Sequence, residues 1–355
     1  MKALVLSGGL GERLRPFSYS MPKQLIPIAN KPVLELVLAD IARLGIVEVG
    51  IVVGDWGPVV QERIGDGSRH GLRISYIRQE RPLGLADCTK VARDFLGDDD
   101  FVMYLGDNVL PAGVADGAVD FRNRRPAVHL LVQKVADPTP FGIVDLDENG
   151  QVLRLEEKPR TPSSDLAIIG VYFFTPAIHS AVDAIRPSAR GELEITAAIQ
   201  WLLSQGAEIT ANEYDGYWRD AGQIDDVLEC NRRMLMDQRR RIDGVVDVES
   251  RITGAVTIEA GARVARSRIL GPAVIGADTV LEDCHIGPNT SVGDRCRLTA
   301  VHVEDSVVMS ETAIRNVAVL RESLIGRGVS IEHGEPVESE FRLVLGDRAR
   351  LRLGR

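Results

Sequence analysis

Residues 3–27 decide the interpretation of this chain: ALVLSGGLGERLRPFSYSMPKQLIP. The apolar residues 3–6 predict a buried strand, and three glycines follow it: Gly8, Gly9 and Gly11. Glycine has no Cβ atom, so a loop built from it lets backbone N–H groups approach a phosphate closely. Three cations come next: Arg13, Arg15 and Lys23. The stretch therefore predicts a strand that ends in a phosphate-binding loop.

This loop fits neither of two common glycine-rich nucleotide sites. A P-loop would close with Gly-Lys-Ser or Gly-Lys-Thr, and a dinucleotide fold would have glycine at the position of Leu14. A pyrophosphate bound at a helix N-terminus needs mainly backbone amides. The additional positive charges of Arg13 and Lys23 therefore indicate a triphosphate that is cleaved. The alternative is a glycine turn with solvated charges. The position of Lys23 between Pro22 and an apolar run disfavours it.

The composition predicts a soluble globular protein with room for two cores. The chain has 355 residues, 45% apolar and 26% charged, with a formal charge of −9. We expect no nucleic-acid and no membrane partner, since both favour a basic surface. Without a long apolar run or a signal sequence, we expect a cytoplasmic location. The cysteines are far apart, which predicts reduced thiols: Cys88, Cys230, Cys284 and Cys296.

Residues 1–241 alternate strand and helix patterns and predict an α/β domain. Strands are expected at 49–53, 74–77 and 101–105, and a helix capped by Asn30 is expected after Pro32. This order predicts a Rossmann-like mixed sheet whose ligands bind beyond the carboxyl ends of strands. The glycine loop and Gly106-Asp107-Asn108 occupy such ends. The β-rich residues 128–174, with a hairpin signal at Asn149-Gly150, predict a second mixed lobe.

Past Gly244 the sequence adopts a six-residue period. Aliphatic side chains recur in phase: Val274, Val280, Ile286, Val292 and Leu298. Such periodicity predicts a left-handed parallel β-helix with about eighteen residues in each triangular coil. We expect this domain at 242–340 and a tail at 341–355 that packs on a neighbour or frays. The flat faces of a β-helix also predict a homo-oligomer.

Six ordered segments resemble the sugar-1-phosphate nucleotidylyltransferases, in the long form that carries a C-terminal β-helix. They are GGLGERLRP at 8–16, PKQLIP at 22–27, LGDN at 105–108, EEKP at 156–159, GELEIT at 191–196 and WRDAG at 218–222. The resemblance implies a Rossmann-like nucleotidyltransferase domain at 1–241. It also implies dTTP and glucose 1-phosphate as substrates.

The reaction itself explains the residue types. An anionic sugar phosphate must attack the α-phosphorus of a triphosphate while pyrophosphate leaves. Mg²⁺ reduces the repulsion and usually takes one or two protein carboxylates, which we expect to be Asp107 and Asp220, with Asp107 also a catalytic residue. Arg13 and Lys23 are expected to hold the β- and γ-phosphates as catalytic residues. The attacking phosphate is already ionised at pH 7, so catalysis rests on positioning and charge stabilisation rather than on a general base.

The resemblance also implies the residues that line the substrates. Lys158 is placed on the sugar phosphate as a catalytic residue, and Glu157 on the sugar hydroxyls. The sugar-phosphate site is completed by Phe141, Gly142, Ile168 and Tyr172. The nucleotide site comprises Gly8, Gly9, Gly11, Arg13, Lys23, Gln24, Gln79 and Gly84. The Gln79 amide can both donate and accept, which suits the imide edge of thymine or uracil and does not separate the two bases.

Four residues depart from the family pattern: Glu12, Pro140, Phe141 and Ile168. Glu12 replaces a common threonine beside the triphosphate, so its carboxylate must point away or pair with an arginine. Phe141 replaces a common tyrosine, and Ile168 is bulkier than the usual valine. These changes bear on substrate preference rather than on reaction type.

Three alternatives remain open from the sequence. The first is uridylyl transfer from UTP. The second is a bifunctional enzyme whose β-helix transfers acyl groups with a histidine such as His285 or His302. The third is a regulatory subunit that binds a sugar nucleotide without turnover, which would be expected to lack Lys23, Asp107 or Asp220.

Overall fold

The computed structural model describes residues 1–9, 11–148, 150–334 and 339–353. The chain divides into two compact units. The first, called the sheet unit below, comprises residues 1–9 and 34–219. The second, called the β-helix unit, comprises residues 10–33 and 220–355. Within the described residues, no helix is long and apolar enough to cross a bilayer.

The first two thirds of the chain alternate strands and helices. The strands are β1 Lys2–Ser7, β2 Pro27–Ile28, β3 Lys31–Pro32, β4 Glu48–Val53, β5 Arg73–Arg78, β6 Phe101–Leu105, β7 Asn108–Val109, β8 Val128–Lys134, β9 Gly142–Leu146, β10 Val152–Glu157, β11 Leu166–Phe174, β12 Ile209–Glu213 and β13 Arg219–Asp220. The helices are α1 Val33–Arg43, α2 Gly57–Ile64, α3 Leu85–Val91, α4 Arg93–Leu96, α5 Ala115–Arg124, α6 Ile178–Ala184, α7 Ile195–Ser204 and α8 Ile224–Met236.

Among the described residues, a nine-stranded mixed sheet forms the core of the sheet unit. Its order is β10-β9-β11-β6-β1-β4-β5, and β8 and β12 continue outward from β11. Strands β6, β1, β4 and β5 are parallel, whereas β11 runs antiparallel to β6. The predicted α/β fold with a mixed sheet is confirmed. Since β1 and β6 are parallel neighbours, the glycine loop and Asp107 follow adjacent carboxyl ends.

Two local predictions were wrong. Residues 128–174 do not form a second lobe, because the buried strand β11 pairs with β6 on one side and β8 on the other and so extends the same sheet. Asn30 does not cap α1. It lies in the turn between β2 and β3 with φ +64°, and α1 begins at Val33. The hairpin of β9 and β10 is confirmed by their antiparallel pairing, although Asn149 lies outside the described residues.

The rest of the chain forms the left-handed parallel β-helix that the sequence predicts. Its strands are β14 Arg241–Ile242, β15 Val245–Val246, β16 Arg251–Thr253, β17 Val256–Ile258, β18 Arg263–Ala265, β19 Arg268–Leu270, β20 Ala273–Ile275, β21 Val280–Glu282, β22 His285–Ile286, β23 Thr290–Val292, β24 Arg297–Thr299, β25 His302–Glu304, β26 Val307–Val308, β27 Ala313–Arg315, β28 Val319–Arg321, β29 Leu324–Ile325, β30 Ser330–His333, β31 Glu340–Phe341, β32 Val344–Leu345 and β33 Arg350–Leu353. Every third strand joins the same sheet, so three sheets enclose one apolar core.

The coils are shorter than predicted, and this changes which positions point into the core. Hydrogen bonds that join equivalent positions of successive coils span 17 residues rather than about eighteen. One side of a coil is therefore a residue short. As a result, Ile275 and Leu281 fill the core, whereas Val274 packs outside it against Ala29 and Leu235. The predicted inward residues Ile286, Val292 and Leu298 are confirmed as fully buried.

The described part of the tail does not fray. Strands β31, β32 and β33 pair with β28, β29 and β30 and extend all three sheets. Equivalent positions here are 20 residues apart, so the aliphatic residues leave the six-residue phase yet still pack on the core.

Candidate active site

The glycine loop adopts backbone conformations that require glycine. Gly9 has φ +100° and Gly11 has φ +60°, both in the left-handed region. A Cβ atom at Gly11 would lie 3.3 Å from Cβ of Ser18 and 3.5 Å from Cβ of Lys23. Gly11 thus allows the Lys23 side chain to lie directly against the loop. Gln24, the next residue, is buried, and Leu10 lies outside the described residues.

Arg13 and Asp220 come together in the β-helix unit. The Arg13 guanidinium lies 3.8 Å from a carboxylate oxygen of Asp220. A Cβ atom at Gly222 would lie 2.8 Å from that carboxylate and 3.0 Å from the guanidinium, so glycine is needed beside the pair. Glu12 pairs with Arg15 at 2.7 Å. This contact confirms that its carboxylate is neutralised by a neighbouring arginine.

Asp107 belongs to the sheet unit and is 6% exposed. Its loop is held by Asn108, whose amide donates a hydrogen bond of 2.6 Å to the Ile169 carbonyl. Gly170 leaves room for that amide, since a Cβ atom there would lie 2.4 Å from it. Asp107 and Asp220 offer only hard oxygen ligands, which suits Mg²⁺. Among the residues that the structure describes, no three His, Cys, Asp or Glu side chains form a metal site of their own.

The residues predicted to read the base form a tight cluster. The Gln79 amide donates a 2.8 Å hydrogen bond to Asp87, and both side chains are buried. Gly84 has φ +107°, and a Cβ atom there would lie 2.4 Å from the Leu193 carbonyl oxygen. Leu193 in turn accepts from the Ala86 N–H and donates to the Leu83 carbonyl. The segment that follows Gln79 is therefore bound to the GELEIT segment at residues 191–196.

The residues predicted for the sugar converge at the start of β9 and the end of β10. Gly142 is the register partner of Glu157. A Cβ atom at Gly142 would lie 2.8 Å from Cγ2 of Thr196, 3.0 Å from Oε2 of Glu157 and 3.5 Å from Cδ1 of Ile168. The absence of a side chain at Gly142 therefore leaves space beside the Glu157 carboxylate.

Glu157 is held by polar neighbours in a partly desolvated site. The Thr196 hydroxyl donates to Oε2 at 3.1 Å, and Arg190 lies 3.5 Å from Oε1. Burial raises the pKa of Glu157, and the nearby Glu194 raises it further, whereas Lys158, Thr196 and Arg190 oppose the rise. Its carboxylate oxygens can accept hydrogen bonds, as a sugar-binding side chain must.

The other residues predicted for the sugar phosphate differ in exposure. Lys158 is exposed at the end of β10 with φ +44°, and its N–H donates to the Phe141 carbonyl at 3.0 Å. The Phe141 ring lies 5.2 Å from the Trp218 ring. Tyr172 is buried and stacks on Phe174. Burial raises the pKa of Tyr172 and the nearby Glu157 raises it further, so its hydroxyl stays protonated.

Two family models match this sequence. Residues 2–236 match the model described as Nucleotidyl transferase, and residues 278–353 match the one described as GMPPB C-terminal domain. The chain belongs to the nucleotidyl transferase family. Its relatives include glucose-1-phosphate thymidylyltransferases of Streptomyces antibioticus, 51% identical, and Streptomyces griseus, 50% identical. In both cases the match covers 99% of this chain and 99% of the relative.

A solved structure also resembles this chain over about two thirds of its length. It is a Bacillus anthracis protein assigned as a glucose-1-phosphate thymidylyltransferase, in complex with a sucrose. The TM-score is 0.61 at 33% identity, over 65% of this chain and 94% of that chain. The resemblance seen in the sequence motifs is confirmed. Members of the family generally use a divalent metal.

Several residues that shape this nucleotidyl transferase site were missed by the sequence reasoning. Asp87 binds Gln79, and Thr196 and Arg190 bind Glu157. The motif GELEIT was recognised without a role. Its role is structural support, because Leu193 packs on Gly84 and Thr196 reaches Glu157. No spacing in the sequence signals these contacts, since each joins segments that meet only in the folded sheet unit.

The two histidines of the acyl-transfer alternative lie on one face of the β-helix. His285 and His302 are register partners whose rings stack with centroids 4.3 Å apart. His302 also contacts Glu304 at 3.1 Å. Burial lowers the pKa of His285, and His302 and Arg268 lower it further. The two rings thus form part of an outward ladder on this face.

Proposed function

We propose that this enzyme transfers a thymidylyl group from dTTP to glucose 1-phosphate, which yields dTDP-glucose and pyrophosphate. One observation carries the proposal: the match to the Streptomyces thymidylyltransferases covers both the sheet unit and the β-helix at about half identity. All the polar residues that the reaction needs are also present. In particular, Lys23, Asp107 and Asp220 are retained, which a subunit without turnover would not require.

The bond changes are those of an in-line displacement. An oxygen of the ionised sugar phosphate attacks the α-phosphorus of dTTP, and the bond from that phosphorus to the β-phosphate oxygen breaks. Arg13 and Lys23 stabilise the charge that develops on the leaving pyrophosphate. Lys158 neutralises the attacking phosphate and holds it in line. The exposure of Lys158 at the end of β10 leaves its ammonium group available for this contact.

The sugar and the base would be recognised by the residues around Glu157 and around Gln79, respectively. Glu157 accepts hydrogen bonds from sugar hydroxyls, with Gly142 and Ile168 forming the wall beside it. Gln79 contacts the base: its amide donor binds Asp87, so its carbonyl Oε1 is oriented to accept the N3–H of thymine. Uracil carries the same N3–H, so the choice of thymine over uracil depends on about 0.8 kcal/mol from one methyl group.

Mg²⁺ is the metal we propose. Asp107 and Asp220 would hold it, with phosphate oxygens and water as the other ligands. When bound, the ion supplies charge that offsets the repulsion between the two anionic substrates. The Arg13 guanidinium, at 3.8 Å from Asp220, pairs with that carboxylate.

The remaining sequence predictions stay part of this proposal. We propose that residues 1–241 are the catalytic domain and that the β-helix beginning at residue 242 serves assembly into a homo-oligomer. The cytoplasmic location is likewise a prediction. Light scattering tests the oligomer, and a monomer at all protein concentrations would contradict it.

The activity is tested by crossing nucleoside triphosphates with sugar 1-phosphates and measuring pyrophosphate release with and without Mg²⁺. We expect the highest kcat/KM for dTTP with glucose 1-phosphate, and turnover only with a divalent ion. Equal or higher kcat/KM with UTP would establish a uridylyltransferase instead. A separate assay of acetyl-CoA consumption decides the acyl-transfer alternative.

A further inference from the structure

Residues 10–33, which include Lys23 and Gln24, belong to the β-helix unit. Lys23 begins a short helical turn, Lys23–Leu25, and the β2–β3 hairpin follows directly. The position of Lys23 therefore depends on what holds this hairpin in place. Within the β-helix unit, that support comes from α8 and from the β-helix.

The turn of the hairpin is strained. Ala29 has φ +48° and Asn30 has φ +64°, so two successive residues with side chains adopt the left-handed region. Glycine is the residue usually found there, and alanine pays a steric penalty of about 1 kcal/mol. Such a turn persists only when its surroundings fix it.

Asn231 on α8 supplies that fixation. Its side chain is 1% exposed, and its Oδ1 accepts a 2.9 Å hydrogen bond from the Ala29 N–H, 202 positions away in the sequence. The same oxygen accepts from the Ser291 hydroxyl at 2.6 Å, and the amide donates to the Asn289 carbonyl at 3.0 Å. Both Ser291 and Asn289 belong to one coil of the β-helix. One buried side chain thus joins the strained turn to that coil.

Further contacts reach the same segment. The Asn30 amide donates to the Val292 carbonyl at 2.7 Å, and Ala29 packs against Leu235 and Val274. Arg327 donates to the Ser20 carbonyl at 3.4 Å. Gly346 lies close to Pro16, since a Cβ atom at Gly346 would lie 3.1 Å from Cβ of Pro16. The contacts therefore extend along the segment on both sides of Lys23.

We propose that Asn231 is a positioning residue: it transmits the rigidity of the β-helix to the hairpin and thereby sets the geometry of Lys23 toward the triphosphate. This inference rests on the proposed function for the identity of the ligand. It assigns the β-helix a role in substrate binding within each chain, in addition to assembly.

The test compares Asn231→Ala with Asn231→Asp. Both remove the amide donor to Asn289 and are expected to lower Tm. Only the aspartate retains an oxygen that accepts from the Ala29 N–H. We expect Asn231→Ala to raise KM for dTTP about fivefold to tenfold, as loss of one buried hydrogen bond implies, and Asn231→Asp to stay within about twofold of wild type. KM for glucose 1-phosphate should be unchanged in both.

Arg232→Ala is the matched control. Arg232 is the next residue of α8 and forms a bidentate ion pair with Asp305 of the β-helix, at 2.5 and 2.6 Å. We expect it to lower Tm and to leave KM for dTTP unchanged. If Asn231→Ala leaves this KM unaltered, or if Arg232→Ala or Asn231→Asp raises it equally, Asn231 is merely structural and the proposal is wrong.

Hydrogen exchange separates this inference from the proposed activity. The amide of Ala29 should exchange faster in Asn231→Ala than in wild type, and at the wild-type rate in Arg232→Ala. This result does not depend on which substrate is used. Failure of wild type to release pyrophosphate from dTTP would overturn the proposed function, whereas an unchanged Ala29 exchange rate would overturn the positioning role.

Discussion

The Thr196 hydroxyl donates a hydrogen bond of 3.1 Å to Oε2 of Glu157, from the first turn of α7 to the last residue of β10. The bond fixes the carboxylate next to Gly142, where a side chain would collide with both residues. Burial nevertheless raises the pKa of Glu157 above its ordinary value of 4.5. A carboxylate in this position is thus oriented for hydrogen bonding at some cost in folding stability.

Replacing Glu157 separates these two effects. Because its pKa is raised in the folded state, the proton on Glu157 stabilises the fold below pH 4.5, and that contribution is lost as pH rises through the folded pKa. The Tm of Glu157→Gln relative to wild type should therefore increase from acidic to neutral pH. Its KM for glucose 1-phosphate should rise at least about tenfold, since hydrogen bonds to a charged group are among the strongest.

Thr196→Val is the control for Glu157→Gln. It preserves the shape of the side chain and removes only the hydroxyl donor, so the charge on Glu157 remains. We expect a smaller increase in KM for glucose 1-phosphate than in Glu157→Gln. A parallel pH dependence of Tm in wild type and Glu157→Gln would show that this carboxylate does not titrate as its surroundings imply.

Asp87 is expected to control which pyrimidine base is accepted. It binds the Gln79 amide group and so leaves the carbonyl for the N3–H of thymine, whereas cytosine presents an acceptor at N3. Asp87→Asn can donate to that carbonyl and reverse the Gln79 amide. The ratio of kcat/KM for dTTP over dCTP should then fall about tenfold.

The exposed Asp94 on α4 provides a charge-matched control for this prediction. Asp94→Asn removes the same charge without touching Gln79, and its dTTP to dCTP ratio should equal that of wild type. If Asp87→Asn also retains the wild-type ratio, the orientation of the Gln79 amide does not select the base.

Gly84 and Gly191 differ in the space that a side chain would have. Both have positive φ, +107° and +78°, yet a Cβ atom would collide with Leu193 only at Gly84 and has open space at Gly191. Gly191→Ala should cost about 1 kcal/mol, the penalty for left-handed alanine. Gly84→Ala should cost at least about 2 kcal/mol more, because the Gln79 segment must move away from Leu193.

Urea unfolding of the two alanine variants measures this difference directly. KM for dTTP should rise in Gly84→Ala and remain unchanged in Gly191→Ala. Equal unfolding free energies would mean that the contact between Gly84 and Leu193 relaxes without penalty.

The sequence predicted those features that local patterns encode. Apolar runs located β1, β4 and β6, and six-residue periodicity located the β-helix. The motifs named Gly142 and Glu157, which the structure brings together. The predicted inward positions Val274 and Val280 were wrong, because each coil is one residue shorter than a strict six-residue repeat. The six-residue pattern alone does not show at which side of the coil that residue is missing. The tail was wrong for the related reason that a longer last coil breaks the period.

Contacts between distant segments could not be predicted from the sequence. Asn231 binds Ala29 across 202 positions, and nothing near Asn231 in the sequence distinguishes it from an ordinary helix residue. Asn30 was misinterpreted as a helix cap for the same reason. Asparagine is favoured both at helix caps and in left-handed turns, so the local sequence does not distinguish the two. Only the pairing of β2 with β3 decides between them.

The two acidic residues assigned to Mg²⁺ give the most decisive test of the chemistry. Asp107→Asn and Asp220→Asn retain the shape of each side chain and remove its charge, so kcat/KM should fall at least about a hundredfold in both. The half-saturating concentration of Mg²⁺ should also rise.

Asp225→Asn is the matched control, because Asp225 lies five positions after Asp220 and its carboxylate binds Arg342 instead. That variant should remain within about twofold of wild type. Calorimetry of Mg²⁺ binding in the presence of dTTP provides a second readout that needs no turnover. Wild-type kcat/KM in either Asp107→Asn or Asp220→Asn would exclude that carboxylate as a metal ligand.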